Sequence, residues 1–154
     1  MKAISALLGE QKFFANLPHE TLELLGGCGH NMHFDEGSRI INANESADYF
    51  YVLRSGKVSL EVDTPNRGPL VIETIGAGDL LGVSWLLPPY EWTFSARAIE
   101  PTSAIAVDAG CLRGKCDDDP ALGYEMFKRF ASLIRNRLQA TRLQLVDVYG
   151  HDTF

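Results

Sequence analysis

The sequence predicts a mainly β fold with helices at both ends, its centre a sandwich or barrel of short strands. Three observations carry this. Between residues 30 and 108, short apolar and β-branched runs recur at near-regular intervals, separated by glycine and asparagine turn signals. The segments on either side of that region change to helical spacing. A chain of 154 residues, 45% hydrophobic and 22% charged, also has the size and composition of one compact domain with a full core.

Residues 1–27 read as helices in pieces. Phe13 and Phe14 precede Asn16-Leu-Pro-His-Glu-Thr-Leu-Glu-Leu-Leu-Gly, where Pro18 suits a first helical turn and Gly26-Gly27 a stop. Phe13, Phe14, Leu17, Leu22 and Leu25 give this segment an apolar side. The β region, residues 28–108, is expected to hold strands at 31–34, 39–42, 49–54, 57–62, 70–75, 93–98 and 103–107. Gly37, Gly56, Asn66-Arg67-Gly68 and Gly78 supply turns, and Asn44 is the next best residue for a left-handed position. Trp92, Phe94, Ala96 and Ala98 alternate with Thr93, Ser95 and Arg97, a half-buried strand pattern. Before that run, Gly76, Gly78 and Gly82 allow tight turns and close approach, and Val83 to Leu87 is expected to form one helical turn that Pro88 stops.

Residues 109–150 return to helix. A short helix is expected at 109–115, and Asp119 caps a long one that opens at Pro120 and runs to about Tyr149. Asp117, Asp118 and Asp119 favour the positive helix end rather than a metal, because three consecutive residues do not all face one ion. Ile134, Leu138, Thr141, Leu145 and Val148 follow spacings of four, three, four and three, a seam suited to a partner helix. Leu133, Leu143 and Val146 make a second stripe. One helix on a small roll does not easily bury both, so a homodimer along this helix is expected.

The stretch Gly-Asp-Leu-Leu-Gly at 78–82, with Ala-Arg-Ala at 96–98, resembles the phosphate-binding cassette of the cyclic nucleotide-binding domain family, as in catabolite-activator-like proteins. Tyr49-Phe-Tyr-Val-Leu-Arg-Ser-Gly-Lys-Val-Ser-Leu resembles that family's strand, glycine hairpin and strand, and Arg-Leu-Gln-Ala-Thr at 137–141 resembles its dimerisation helix. The resemblance implies a cyclic nucleotide-binding-type β-roll (a double-stranded β-helix, or jelly roll) with a helical lid and a long C-terminal dimerisation helix. In that family a glutamate after the glycine bonds the ribose hydroxyl, and an arginine ten positions beyond the glycine grips the cyclic phosphate. Here those positions hold Val83 and Trp92. Thr141 stands where the family's threonine reaches the base, and Arg142 replaces a serine that reaches into the partner's pocket. The candidate ligand pocket is therefore Gly82, Val83, Ser84, Trp85, Trp92, Thr93, Thr141 and Arg142.

A cyclic nucleotide carries one negative charge, and burying it unpaired is costly. Binding of cyclic AMP or cyclic GMP is therefore expected to be weak or absent. Two indoles either stack on some other small, nucleotide-like ligand or fill the cavity and leave no site. Arg142 either meets an anionic ligand from across the dimer or lies on a solvated face with Lys128, Arg129, Arg135 and Arg137. The family's transcription regulators continue after this helix into a winged helix-turn-helix, and none is expected here. The reading is thus a single domain over 1–154, a stand-alone sensor whose output lies on an effector protein. Its alternative is a ligand-free scaffold for protein interaction.

Other constellations point nowhere else. The formal charge of −6 supplies no basic footprint for nucleic acid and repels anionic membranes. Cys28, Cys111 and Cys116 are an odd number at spacings matching neither Cys-x-x-Cys nor a paired framework, so they are read as reduced residues of a cytosolic core. The family's iron–sulfur members need four cysteines. His30 and His33 lack the later histidine of a cupin metal site, and no haem or other cofactor is expected from them and Cys28. Ser84 lacks a nucleophile elbow, Asp79 is a turn residue, and no base or orienter accompanies either, so no enzyme activity is expected. Residues 3–8 are too short for a signal h-region, and no apolar run approaches about 20 residues, which predicts a cytoplasmic protein.

Overall fold

The structure, a computed structural model, describes residues 3–151, with side chains described through Asp147. The chain forms two compact units, Met1–Lys115 and Cys116–Phe154. In the first, helix α1 (Ile4–Gly9), a 3₁₀ turn (Lys12–Phe14) and helix α2 (His19–Gly26) precede eight strands. These are β1 (Gly29–Phe34), β2 (Arg39–Ile41), β3 (Tyr49–Ser55), β4 (Lys57–Thr64), β5 (Gly68–Gly76), β6 (Leu80–Leu81), β7 (Ser95–Ala98) and β8 (Thr102–Asp108). They make two antiparallel four-stranded sheets, ordered β1-β8-β3-β6 and β2-β7-β4-β5. Helix α3 (Ala109–Asp118) carries the chain into the second unit, where α4 (Pro120–His151) begins. The short strands and their turns are those of the sandwich or barrel that the turn spacing predicts, and the flanking helices complete the β-roll that the resemblance implies.

Glycines hold the roll's corners. Gly37, Gly56, Gly68 and Gly78 all have positive φ, as does Asn44. At Gly56, between β3 and β4, φ is +94° and a Cβ would run into the Thr102 side chain and the Pro101 carbonyl. That corner therefore demands glycine twice over, by conformation and by space. Strand β3 is buried on both faces from Phe50 to Leu53, with Ile105 and Val107 buried on its partner β8 and Val58 and Leu60 buried on β4 of the other sheet. Burial of the Tyr51 phenol, aided by repulsion from Tyr49 and Asp48, pushes its pKa up to about 12.

Three expectations need correction. Strand β6 was not expected: two leucines carry no alternation, yet Leu80 and Leu81 pair with Val52 and Tyr51. The strand expected at 93–98 begins only at Ser95, because Trp92 bonds a loop instead, donating to the Glu45 carbonyl at 2.9 Å and accepting from the Asn44 N–H at 2.8 Å. Its outward-facing Ser95 is also buried, so the half-buried pattern fails there. The cysteines are not all reduced. Cys28, just after α2, and Cys111, in the first turn of α3, form a disulfide across 83 positions with Cα atoms 5.7 Å apart. Local spacing does not reveal such a pair, since the topology alone brings the ends of the roll together. Cys116 is free.

In the second unit, Asp119 caps α4 as expected, its Oδ1 accepting from the N–H groups of Ala121 and Leu122. Ile134, Leu138 and Leu145 are 42%, 48% and 51% exposed, and Leu143 and Val146 of the second stripe are exposed too, while Leu133 is half-buried. The Val148 side chain lies outside the described residues. Replacing Gly56 with alanine is expected to lower stability to urea by at least about 2 kcal/mol. A variant within about 0.5 kcal/mol of wild type would contradict the account of that corner.

Candidate functional site

The cassette begins where β5 ends. Asp79 accepts from the Gly76 N–H through Oδ2 at 2.9 Å, and Gly78 donates to the Leu53 carbonyl at 2.8 Å, so the turn is tied both to itself and to β3. Gly78 at φ +90° and Gly82 at φ +109° make the reversals on either side of β6. After Gly82 the chain closes one hydrogen-bonded turn, Leu86 N–H to Val83 carbonyl at 3.1 Å, and goes no further into helix. Pro88 has no N–H to extend it.

Trp92 decides what this cassette can hold. Its indole is 4% exposed and lies directly on Gly82: a Cβ placed there would strike the six-membered ring at Cη2 and Cζ3. The indole also meets Phe94 edge to face, with ring centroids 6.0 Å apart. Its backbone is held by the two bonds to residues 44 and 45, an isolated bridge joins Ser46 and Glu91, and Ala47 donates to the Tyr90 carbonyl at 2.7 Å. Trp85, 1% exposed, stacks on Phe50 of β3 with centroids 5.0 Å apart and planes 25° apart. Both indoles thus belong to the core of the roll, where they fill space between the cassette and the sheet.

The polar inventory of the cassette is short. Residues 82–93 contain no basic side chain. Val83 and Ser84 are partly exposed, while Thr93 and Glu91 face solvent, so Glu91 is not turned into the cassette. Arg97 is engaged elsewhere, donating from Nη1 to the Gly37 carbonyl at 3.0 Å with Nε 3.7 Å from Glu61. Glu61 is buried and accepts from the Ser59 hydroxyl at 2.8 Å. Thr141 and Arg142 belong to the second unit, exposed on α4, and the Thr141 hydroxyl donates back to the Arg137 carbonyl at 2.9 Å.

One cation does reach the cassette, and the sequence offered no motif for it. Arg113 of α3 donates from Nη1 to the Trp85 carbonyl at 2.6 Å, and its guanidinium lies over the Tyr90 ring, 4.2 Å from the centroid. This clamp holds the cassette at both ends of the 85–90 loop, by backbone at Trp85 and by the ring at Tyr90. Only the tertiary path of α3 brings it there. Elsewhere, His30 and His33 are exposed on β1, and no group of three or more His, Cys, Asp or Glu among the described residues could hold a metal.

Residues 31–119 match the family model for the cyclic nucleotide-binding domain. Over 119 residues the chain is 25% identical to a CRP-like cAMP-activated global transcriptional regulator of Mycobacterium tuberculosis, covering 77% of this chain and 51% of that protein. The chain thus spans about half the length of the curated relatives it matches. Among solved structures, one described as a cyclic nucleotide-binding protein from Geobacter metallireducens is 29% identical with a TM-score of 0.79, covering 90% of this chain and 99% of that one. A cyclic nucleotide-binding domain from Methylobacillus flagellatus gives a TM-score of 0.79 at 20% identity, with 94% and 81% covered. The catabolite activator protein of Thermus thermophilus gives 0.68 at 24%, with 86% and 61% covered. These last two likenesses speak for the fold alone.

Truncating Trp92 to alanine removes a packed indole and is expected to cost about 3–5 kcal/mol in chemical denaturation. Leu87→Ala, in the same loop but 62% exposed, is expected to stay within about 0.5 kcal/mol of wild type and serves as the control.

Proposed function

Because this chain belongs to the cyclic nucleotide-binding domain family, we propose that it acts as a regulatory module of that family in which cyclic AMP and cyclic GMP are no longer strong ligands. The observation that carries this is the Trp92 indole seated on Gly82. A ligand phosphate at that glycine would have to displace a buried aromatic ring, and residues 82–93 supply no guanidinium in exchange. Loss of the partner of a buried, hydrogen-bonded charge typically costs roughly 2–5 kcal/mol, or about 30-fold to several thousand-fold in affinity. Any ligand that does enter, drawing on Gly82, Val83, Ser84 and Thr93, is of a kind that stacks on indole and needs little anion recognition.

The stacking of Trp85 on Phe50 favours a second reading beside this one: a cassette closed by its own side chains, with a protein partner in place of a small ligand. In both, residues 1–27, 28–108 and 109–150 work as lid, roll and signalling helices of one cytoplasmic module that has no catalytic role. The module pairs with a second copy along α4. The exposed Ile134, Leu138 and Leu145 seam supports that pairing, since a bare apolar stripe at heptad spacing is stabilised by a matching helix. Thr141 and Arg142 sit on the same helix, where the family resemblance would bring them toward a ligand. With a formal charge of −6, contact with nucleic acid is assigned to another segment or polypeptide, not to these residues.

Thermal melts in cyclic AMP or cyclic GMP at about 1 mM are expected to shift Tm by less than about 2 °C. A dissociation constant in the micromolar range for either nucleotide would overturn the reading. Sedimentation equilibrium is expected to give a dimer for the wild type and a monomer for Leu138→Glu, and a wild-type monomer would remove α4 as the pairing surface.

A further inference from the structure

Helix α3 is fastened to the roll by two side chains that stand two positions apart. Cys111 is bonded to Cys28, and Arg113 holds the Trp85 carbonyl and the Tyr90 ring. The first fastener is covalent but chemically reversible; the second is a charge-assisted hydrogen bond and a cation–π contact, and both depend on where α3 lies. We propose that the Cys28–Cys111 bond is a thiol-responsive latch, whose reduction loosens α3 and with it the grip of Arg113 on the cassette. It stands on the bond and the clamp alone, whether or not any ligand enters the cassette.

The chemistry is a thiol–disulfide exchange with a small-molecule dithiol or a protein dithiol as reductant. Cys28 is buried and Cys111 only partly so, which makes Cys111 the side from which the proposed attack comes. A mixed disulfide forms at Cys111, the Cys28–Cys111 bond breaks, and Cys28 leaves as a thiolate that takes up a proton. The second thiol of the reductant then attacks its own sulfur in the mixed disulfide and releases Cys111. The protein gains two electrons and two protons, and the reductant becomes a disulfide. Reversal is favoured by geometry that does not depend on the bond. Asp108 donates its N–H to the Cys28 carbonyl at 2.8 Å, and its Oδ1 accepts from the Cys111 N–H at 2.8 Å, so one residue keeps both cysteines in register. Cys116 is a poor competitor, since burial and then Asp117 and Asp119 push its thiol up. A disulfide that forms inside a thiol-rich compartment is typically of this transient, sensing kind.

The test is hydrogen–deuterium exchange read by mass spectrometry on the whole protein, oxidised and after dithiothreitol, with thiols counted on the same samples. The expected thiol count is one in the oxidised form, from Cys116, and three after native reduction. Amides of residues 83–90 and 109–115 are expected to exchange about tenfold faster in the reduced form, and Cys116→Ser to behave as wild type. Arg113→Ala is expected to speed 83–90 already in the oxidised state, so that reduction adds little more there. Reoxidation should restore slow exchange. The proposal is overturned if reduction under native conditions releases no thiols. It is equally overturned if the two new thiols appear while exchange at 83–90 stays within about twofold of the oxidised form.

Discussion

The structure turns on one close approach, the indole of Trp92 against the bare α-carbon of Gly82. Gly82 adopts φ +109°, a conformation that side chains rarely accept, and the absence of a Cβ leaves a recess at the mouth of the cassette. Such a recess suits either a phosphate, met by backbone N–H groups, or a flat apolar ring. The two occupants want opposite surroundings. A phosphate wants a cation and a path to water, whereas an indole wants other rings and no charge. Phe94 beside Trp92, and Trp85 stacked on Phe50, provide the second environment, and residues 82–93 offer no cation for the first.

The corner that carries Trp92 is built by the backbone around it. Gly78 and Gly82 reverse the chain, Asp79 ties the turn, and β6 pairs with β3. Those features serve the fold by themselves, because the corner must be made whether or not a ligand sits beyond it. Burial of Trp85 and Trp92, each worth several kcal/mol relative to exposure, stabilises this corner without any ligand. Arg113 adds a contact from α3 to this packing, through the Trp85 carbonyl and the Tyr90 ring.

How much of this was legible in the sequence follows from the range of each interaction. The strands and their glycine corners, the Asp119 cap and the bare α4 stripes are local patterns with periods of two, three or four, and residue order displays them directly. The reading that Val83 and Trp92 stand where the family has its glutamate and arginine rests likewise on spacing within one segment. Whether the indoles were walls or plugs was not readable. That depends on rotamers set against Phe50 and Gly82, and Phe50 stands 35 positions before the Trp85 it stacks on. The Cys28–Cys111 bond and the Arg113 clamp are long-range in the same sense, and a two-residue strand such as β6 has no period to detect.

The disulfide also changes how the stability of the roll should be apportioned. Joining positions 83 apart removes unfolded-chain entropy worth about 4–5 kcal/mol on the loop-closure model, comparable to burying one of the tryptophans. That stabilisation acts on the whole first unit, but its removal is felt first where the fewest other contacts hold. Leu112 and Ala109 of α3 are buried as well, so packing holds the helix beside the bond. In the proposed latch the bond fixes the position of α3 from which Arg113 reaches the Trp85 carbonyl at 2.6 Å. A charge-assisted bond of that length tolerates little displacement before it weakens. The cassette is therefore held by the packing of its buried indoles and by one distance-sensitive contact from α3, and the second is the one that the position of α3 sets.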